Sequence, residues 1–252
     1  MRYAFFFLML ILFAAQPVLA ADSSPQPPPP QLTIESASTI LNGIQGEVVS
    51  VTPSEVPGLY RVGMKMQGKI YPLYLDASGR YLFSGNIIRI ADRANLTEEE
   101  FRQLNPIDLS QIPLDDALLL GNPAAKHPIL VFTDPHCPYC SQLHQVLLEA
   151  VKEHPELAFK LKLVPFKQSS KEITKTIICN KSIDQLEMAF AGKALPKPDC
   201  DTDAGDKNLA LAQKLGIRGT PSLIMPNGLI FPGYHSLADL MTLIKENTPA
   251  DK

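Results

Sequence analysis

Cys137 and Cys140 stand two residues apart in Phe132-Thr133-Asp134-Pro135-His136-Cys137-Pro138-Tyr139-Cys140. Ile129 to Phe132 before them is a short β-branched and aromatic run that reads as a buried strand. Leu143, Val146, Leu147 and Ala150 beyond them recur at helical spacing. Cys137 is therefore expected at a helix N-terminus, where free backbone N–H groups and the positive end of the helix dipole favour a thiolate. Cys140, one turn deeper, is then positioned to resolve a mixed disulfide. The chemistry implied is thiol–disulfide exchange.

The same residues admit a rival. Cys137, Cys140 and His144, with His136 as a fourth ligand, could suit Zn²⁺. An oxidising compartment and the lack of a second Cys-x-x-Cys pair argue against it, so neither a metal nor any other cofactor is expected.

The elements that must hold the dithiol follow from periodicity. Phe159, Leu161 and Leu163 alternate with Lys160 and Lys162 as a strand ended by Pro165. Ser169 and Glu172 read as a capping box opening a helix with Ile173, Ile177 and Ile178 inward. A largely helical insertion runs on to Cys200. Leu209, Ala212 and Leu215 suggest a helix ended by Gly216, Ser222 to Met225 and Leu229 to Phe231 a hairpin, and Ser236 the cap of a last helix. Strands alternating with helices predict an α/β domain over residues 123–252.

The N-terminal part differs. Arg2 precedes an uncharged apolar run from Tyr3 to Ala15, and Val18-Leu19-Ala20 fits cleavage after Ala20, so residues 1–20 read as a signal peptide and all four cysteines as exported. Residues 21–31, with Pro25 to Pro30 broken only by Gln26, read as an extended spacer. In residues 32–91, Ala37, Ile40, Leu41 and Ile44 fit one helix face with Gly43 available to end it. Strands are expected at Gly46 to Thr52, Leu59 to Met66, Lys69 to Leu75 and Arg80 to Phe83. So small an α+β unit gains from burying a face or edge against a partner, which points to a homodimer. Residues 92–122 read as a connector with a short helix capped by Asn95 or Thr97 and ended by Pro106. The 252 residues, 45% apolar, exclude disordered and collagen-like classes, and a net charge of −3 without a long basic run gives no field for nucleic acid, so none is expected as a partner.

The order strand, Cys-x-x-Cys helix, helical insertion, Gly219-Thr220-Pro221, hairpin, helix is similar to the thioredoxin fold. It resembles more closely the periplasmic disulfide isomerases of the DsbC and DsbG type. His127 to His144, Ala191-Gly192-Lys193 with Cys200-Asp201, Leu215 to Pro221 and Pro232-Gly233-Tyr234 carry the resemblance, with Gly58 and the Leu82 to Gly85 region in the first domain. It implies a thioredoxin-like domain with a helical insertion behind a cystatin-like α+β dimerisation domain. It also implies Cys137 as nucleophile, Cys140 as resolving thiol, a cis Pro221, and Thr220 offering its backbone to an extended substrate.

Cys179 and Cys200 would form a structural disulfide, closing a loop of about twenty residues for roughly 3 kcal/mol; a second redox pair is the alternative. His136 beside Cys137 would favour the thiolate if charged or else face solvent, and Asp134 would take a turn role or orient a water near Cys140. Tyr139 would show substrate an apolar face. Pro138 stands where the isomerase motif has glycine, and Pro-Tyr also resembles glutaredoxins. The function implied is disulfide isomerase or reductase acting on misfolded or misoxidised secreted proteins in the periplasm, kept reduced by a membrane thiol reductase of the DsbD type. The alternatives are an oxidase, or a chaperone-like binding protein with a metal-bound Cys-x-x-Cys.

Overall fold

The computed structural model describes residues 31–249. The signal segment, and the Pro-rich spacer up to its last residue, lie outside the described residues. Thr33 starts the first helix, α1 (Ile34–Ile40), by accepting from the Ser36 N–H while Ser36 Oγ accepts from the Thr33 N–H. Ala37 and Leu41 pack on the sheet residues Val48, Val62, Met64 and Leu75. Ile40 and Ile44, expected on the same face, are exposed. The helix is only two turns long and closes at Leu41 rather than Gly43, so the pattern beyond it loses its helical register.

Four antiparallel strands follow as a meander: β1 (Glu47–Pro53), β2 (Leu59–Met66), β3 (Lys69–Asp76) and β4 (Leu82–Phe83). Gln67 and Gly68 join β2 to β3 with φ of 49° and 81°, a two-residue turn whose positive dihedrals match strand twist. Asn95 caps α2 (Leu96–Leu104) by accepting from the Glu98 N–H at 3.1 Å. Behind α2, the Asn105 amide accepts from Ile70 N (2.8 Å) and donates to Ile70 O (2.7 Å), covering backbone groups that β3 would otherwise leave open.

The second sheet has the order β5-β7-β6-β8-β9, from β5 (Leu118–Gly121), β6 (Ile129–Thr133), β7 (Ala158–Leu163), β8 (Ser222–Ile224) and β9 (Ile230–Pro232). Only β6 and β7 run parallel, joined through helix α3 (Pro138–Glu153). Both faces are covered. Ile129 and Val131 pack with Leu143, Leu147 and Ala150 of α3, with α4 (Lys171–Asn180) and α5 (Ile183–Phe190), and with Leu240 of α7 (Leu237–Asn247). Leu130 and Phe132, on the opposite pleat, meet Ala212 of α6 (Ala204–Leu215) together with Ile217 and Ile112.

Two differences from the sequence reading matter. The segment read as a connector ends in β5, an edge strand of the second sheet paired with β7; three leucines after Pro113, Asp115 and Asp116 are too few to display a period. Lys162, one of the two lysines that alternate with the apolar residues of β7, is 1% exposed, with Nζ on Pro113 O (2.8 Å) and on the Asp116 carboxylate. Asn208 Nδ2 reaches the other Asp116 oxygen and Leu163 O, so the cluster is closed.

The two sheets meet at few points. Arg102 of α2 lies over the Phe231 ring at 5.5 Å, and Ile107 N donates to Gly228 O at 2.8 Å. Gly228 has φ of 85°, and a Cβ there would stand 2.3 Å from Ile107 O, so the turn and the contact both require glycine. Among the described residues no helix is long and apolar enough to cross a membrane.

Candidate active site

β6 ends at Thr133, and the chain turns into α3 within four residues. Asp134 O accepts from Cys137 N (3.0 Å), and Asp134 Oδ1 accepts from His136 N (2.8 Å). Cys137 occupies the N-cap position with extended dihedrals, and Pro138 follows at the first helical position, where a missing N–H costs nothing. The Cys137 thiol is partly exposed and donates to Thr220 O at 3.3 Å. Thr220 precedes a cis bond to Pro221, whose carbonyl accepts from Gly233 N (2.8 Å). The loop before β8 is thereby held against the first cysteine.

Cys140, one turn along α3, is buried and accepts from Asp134 N at 3.4 Å. Burial pushes its thiol up to about 12, against the pull of that N–H and of the Thr133 and Thr220 side chains; the nearby Cys137 raises it further. One thiol is thus accessible and the other stays protonated inside. Pro138 and Tyr139 lie outside, Tyr139 at 62% exposure.

Asp134 takes the turn role. Its carboxylate is buried and also accepts from Ser170 Oγ (2.6 Å) and Lys167 N (3.3 Å). Ser170 is the N-cap residue of α4 but makes no capping bond, so the box read at Ser169 and Glu172 does not form: the hydroxyl goes instead to the buried acid. His136 Nδ1 lies 3.2 Å from Ser170 Oγ and 3.4 Å from Ser169 Oγ, and Lys167 Nζ donates to His136 O. Lys167 and Ser170 are the residues that sequence reasoning missed. The signal was a carboxylate directly after a fully apolar strand, which demands donors without naming them.

His144 is buried, with Nε2 3.3 Å from Glu187 Oε1 and its ring 5.3 Å from that of Phe190. The rival metal set is therefore dispersed, His144 toward Glu187 and His136 toward the serines. Among the described residues no three His, Cys, Asp or Glu side chains gather to hold a metal ion. Cys179 and Cys200 are joined in a disulfide with Cα atoms 5.6 Å apart, tying the end of α4 to the segment before α6.

Residues 114–247 match the family model of a thioredoxin-like domain, and residues 23–98 that of the disulfide bond isomerase protein N-terminal domain. The thiol:disulfide interchange protein DsbC of Salmonella typhimurium is 29% identical over 184 residues, covering 69% of this chain and 73% of that one. The DsbC of Escherichia coli is 29% identical over 188 residues with the same coverage. A probable DsbC of Bordetella avium is 28% identical over 202 residues, covering 79% of this chain and 69% of that one.

Proposed function

The chain belongs to the thioredoxin-like family and pairs that domain with a disulfide bond isomerase N-terminal domain, and we propose that its Cys137/Cys140 dithiol rearranges and reduces disulfides of misoxidised exported proteins. The observation that carries this reading is the Cys137 thiol at 3.3 Å from Thr220 O, with Cys140 buried one turn below. The Cys137 thiolate attacks one sulfur of a substrate disulfide. A new S–S bond forms, the substrate bond breaks, and the released thiolate takes up a proton. Another substrate thiol can then displace Cys137, which completes an isomerisation with no net electron transfer. If Cys140 attacks first, the substrate leaves reduced by two electrons and the enzyme holds a Cys137–Cys140 disulfide.

Thr220 and Pro221 form the wall against which the substrate strand lies, and His136, Pro138 and Tyr139 border it. The Cys179–Cys200 bond serves the fold. Working in the periplasm, the enzyme depends on a membrane thiol reductase of the DsbD type to return electrons. Homodimerisation through the first domain is supported by the match of residues 23–98 and by Tyr81, Leu82, Phe83, Ile88 and Ile90, all exposed.

The test is reactivation of a scrambled multi-disulfide protein by the reduced chain, with Cys137→Ser as control. Recovery that disappears in the control supports isomerase action. Oxidation of a reduced substrate without any reactivation would leave an oxidase instead.

A further inference from the structure

A cleft of about 720 Å³ opens between the two sheets, within the size range of real binding sites. One wall comes from the first domain and the connector that follows it: Tyr71 on β3, 37% exposed, and Phe101 on α2, with ring centroids 5.4 Å apart. The other wall is the Gly219-Thr220-Pro221 loop. Thr220, whose carbonyl accepts from the Cys137 thiol, is thus part of that wall.

Its charge is opposite to that of the chain, which carries −3. Four charged side chains line it: Lys69, Glu98, Arg102 and Arg218. Glu98 faces Arg102 at 4.0 Å, and Arg102 also covers Phe231, so that pair is internally balanced. Lys69 and Arg218 are both exposed and have no ion-pair partner among the described residues. They come from different domains yet line the same cleft, and Lys69 Nζ lies 3.5 Å from where a Cβ on Gly216, two residues before Arg218, would stand. An aromatic wall beside two unneutralised cations fits an apolar strand bearing a carboxylate.

We propose that this cleft, walled within a single chain by Tyr71 and Phe101 opposite the Thr220–Pro221 loop, seats an extended substrate segment with an acidic side chain between Lys69 and Arg218. This rests on the exchange reading above and deepens it by naming a substrate class: segments in which aspartate or glutamate flanks an apolar residue near the reacting cysteine. The carboxylate would gain two ion pairs in a partly enclosed site. Both would weaken as salt screens them.

Binding without chemistry tests this. Two short fluorescent peptides with serine in place of cysteine and an apolar neighbour, one carrying glutamate and the other lysine, are titrated with the full chain and followed by anisotropy. The glutamate peptide is expected to bind about fivefold tighter at low salt, as two exposed pairs allow, and the preference should shrink as salt rises. The K69E/R218E variant should invert it, binding the lysine peptide better than wild type does, a gain that misfolding cannot produce. Equal binding of the two peptides, or an unchanged order in the variant, would overturn the proposal. Displacement by free glutamate at matching concentration would assign the cleft to small acids and overturn it equally. Exchange of wild type with a small neutral disulfide, measured in parallel, reports the dithiol alone. Its loss with peptide preference intact would sink the exchange reading and leave the cleft standing.

Discussion

Ser170 and Asp134, 36 residues apart in sequence, share a hydrogen bond of 2.6 Å that ties the start of α4 to the turn carrying Cys137. The Asp134 carboxylate is buried and accepts from this hydroxyl and from two backbone N–H groups. Removing one donor leaves a buried acid short of a partner, which costs about 1–3 kcal/mol. Ser170→Ala should lower the urea midpoint accordingly. Ser170→Thr, which keeps the hydroxyl, should lose less, and equal losses would show that the bond itself contributes little.

What the sequence displayed and what it concealed divide along physical lines. The dithiol helix was legible because a run buried on both faces meets a strong helical period at Pro138, and β6 and α3 form there. The first-domain strands were legible because each alternates and ends in turn chemistry, as at Gln67-Gly68. β7 was legible as a strand, but its alternation gave no sign that Lys162 is buried. Alternation marks a solvated face only where one face is bare, and β7 lies between β5 and β6 in a sheet covered on both sides. Ser170 was concealed for another reason: its partner is set by tertiary folding, and local spacing offered the more familiar cap at Ser169.

Lys162 carries the next prediction. Its side chain is 1% exposed, and among the described residues it pairs with Asp116 and donates to Pro113 O, while Asn208 holds the other Asp116 oxygen. Asp116→Ala strands a buried cation and should destabilise by about 3–5 kcal/mol, the cost typical of breaking such a pair from one side. The double variant Asp116→Leu/Lys162→Met removes both charges and should recover most of that loss. If chemical denaturation finds the double variant no better than the single one, the cluster acts through packing instead.

The dithiol predicts an asymmetry in trapping. Cys140→Ser should accumulate mixed disulfides with substrate, visible as bands that reductant removes, because nothing remains to resolve the Cys137 bond. Cys137→Ser should trap none. In that second variant Cys140 is the remaining dithiol sulfur, and burial, the largest cause of its raised pKa, still holds its thiol above the ordinary range. Alkylation by iodoacetamide should therefore stay slow through mildly alkaline pH and accelerate only on strong alkalinisation or unfolding. Rapid labelling at neutral pH would mean that the helix start opens more readily than its packing implies.

The last prediction concerns acid. Burial lowers the pKa of His144 from 6.5, outweighing the opposite pull of Glu187, and burial likewise lowers that of His235. A folded-state value below the unfolded one means that the unfolded chain binds protons first as pH falls past 6.5. Stability contributed by the neutral rings is full above that point and is lost as pH drops below it toward the folded values. Asp76, held at about 2 chiefly by its Ser78 hydrogen bond, remains ionised across this window and does not add to the slope there. Urea midpoints should therefore decline between neutral and mildly acidic pH. His144→Gln, which can still reach Glu187 but does not titrate, should flatten the decline, and a slope unchanged in the variant would move the effect from His144 to His235.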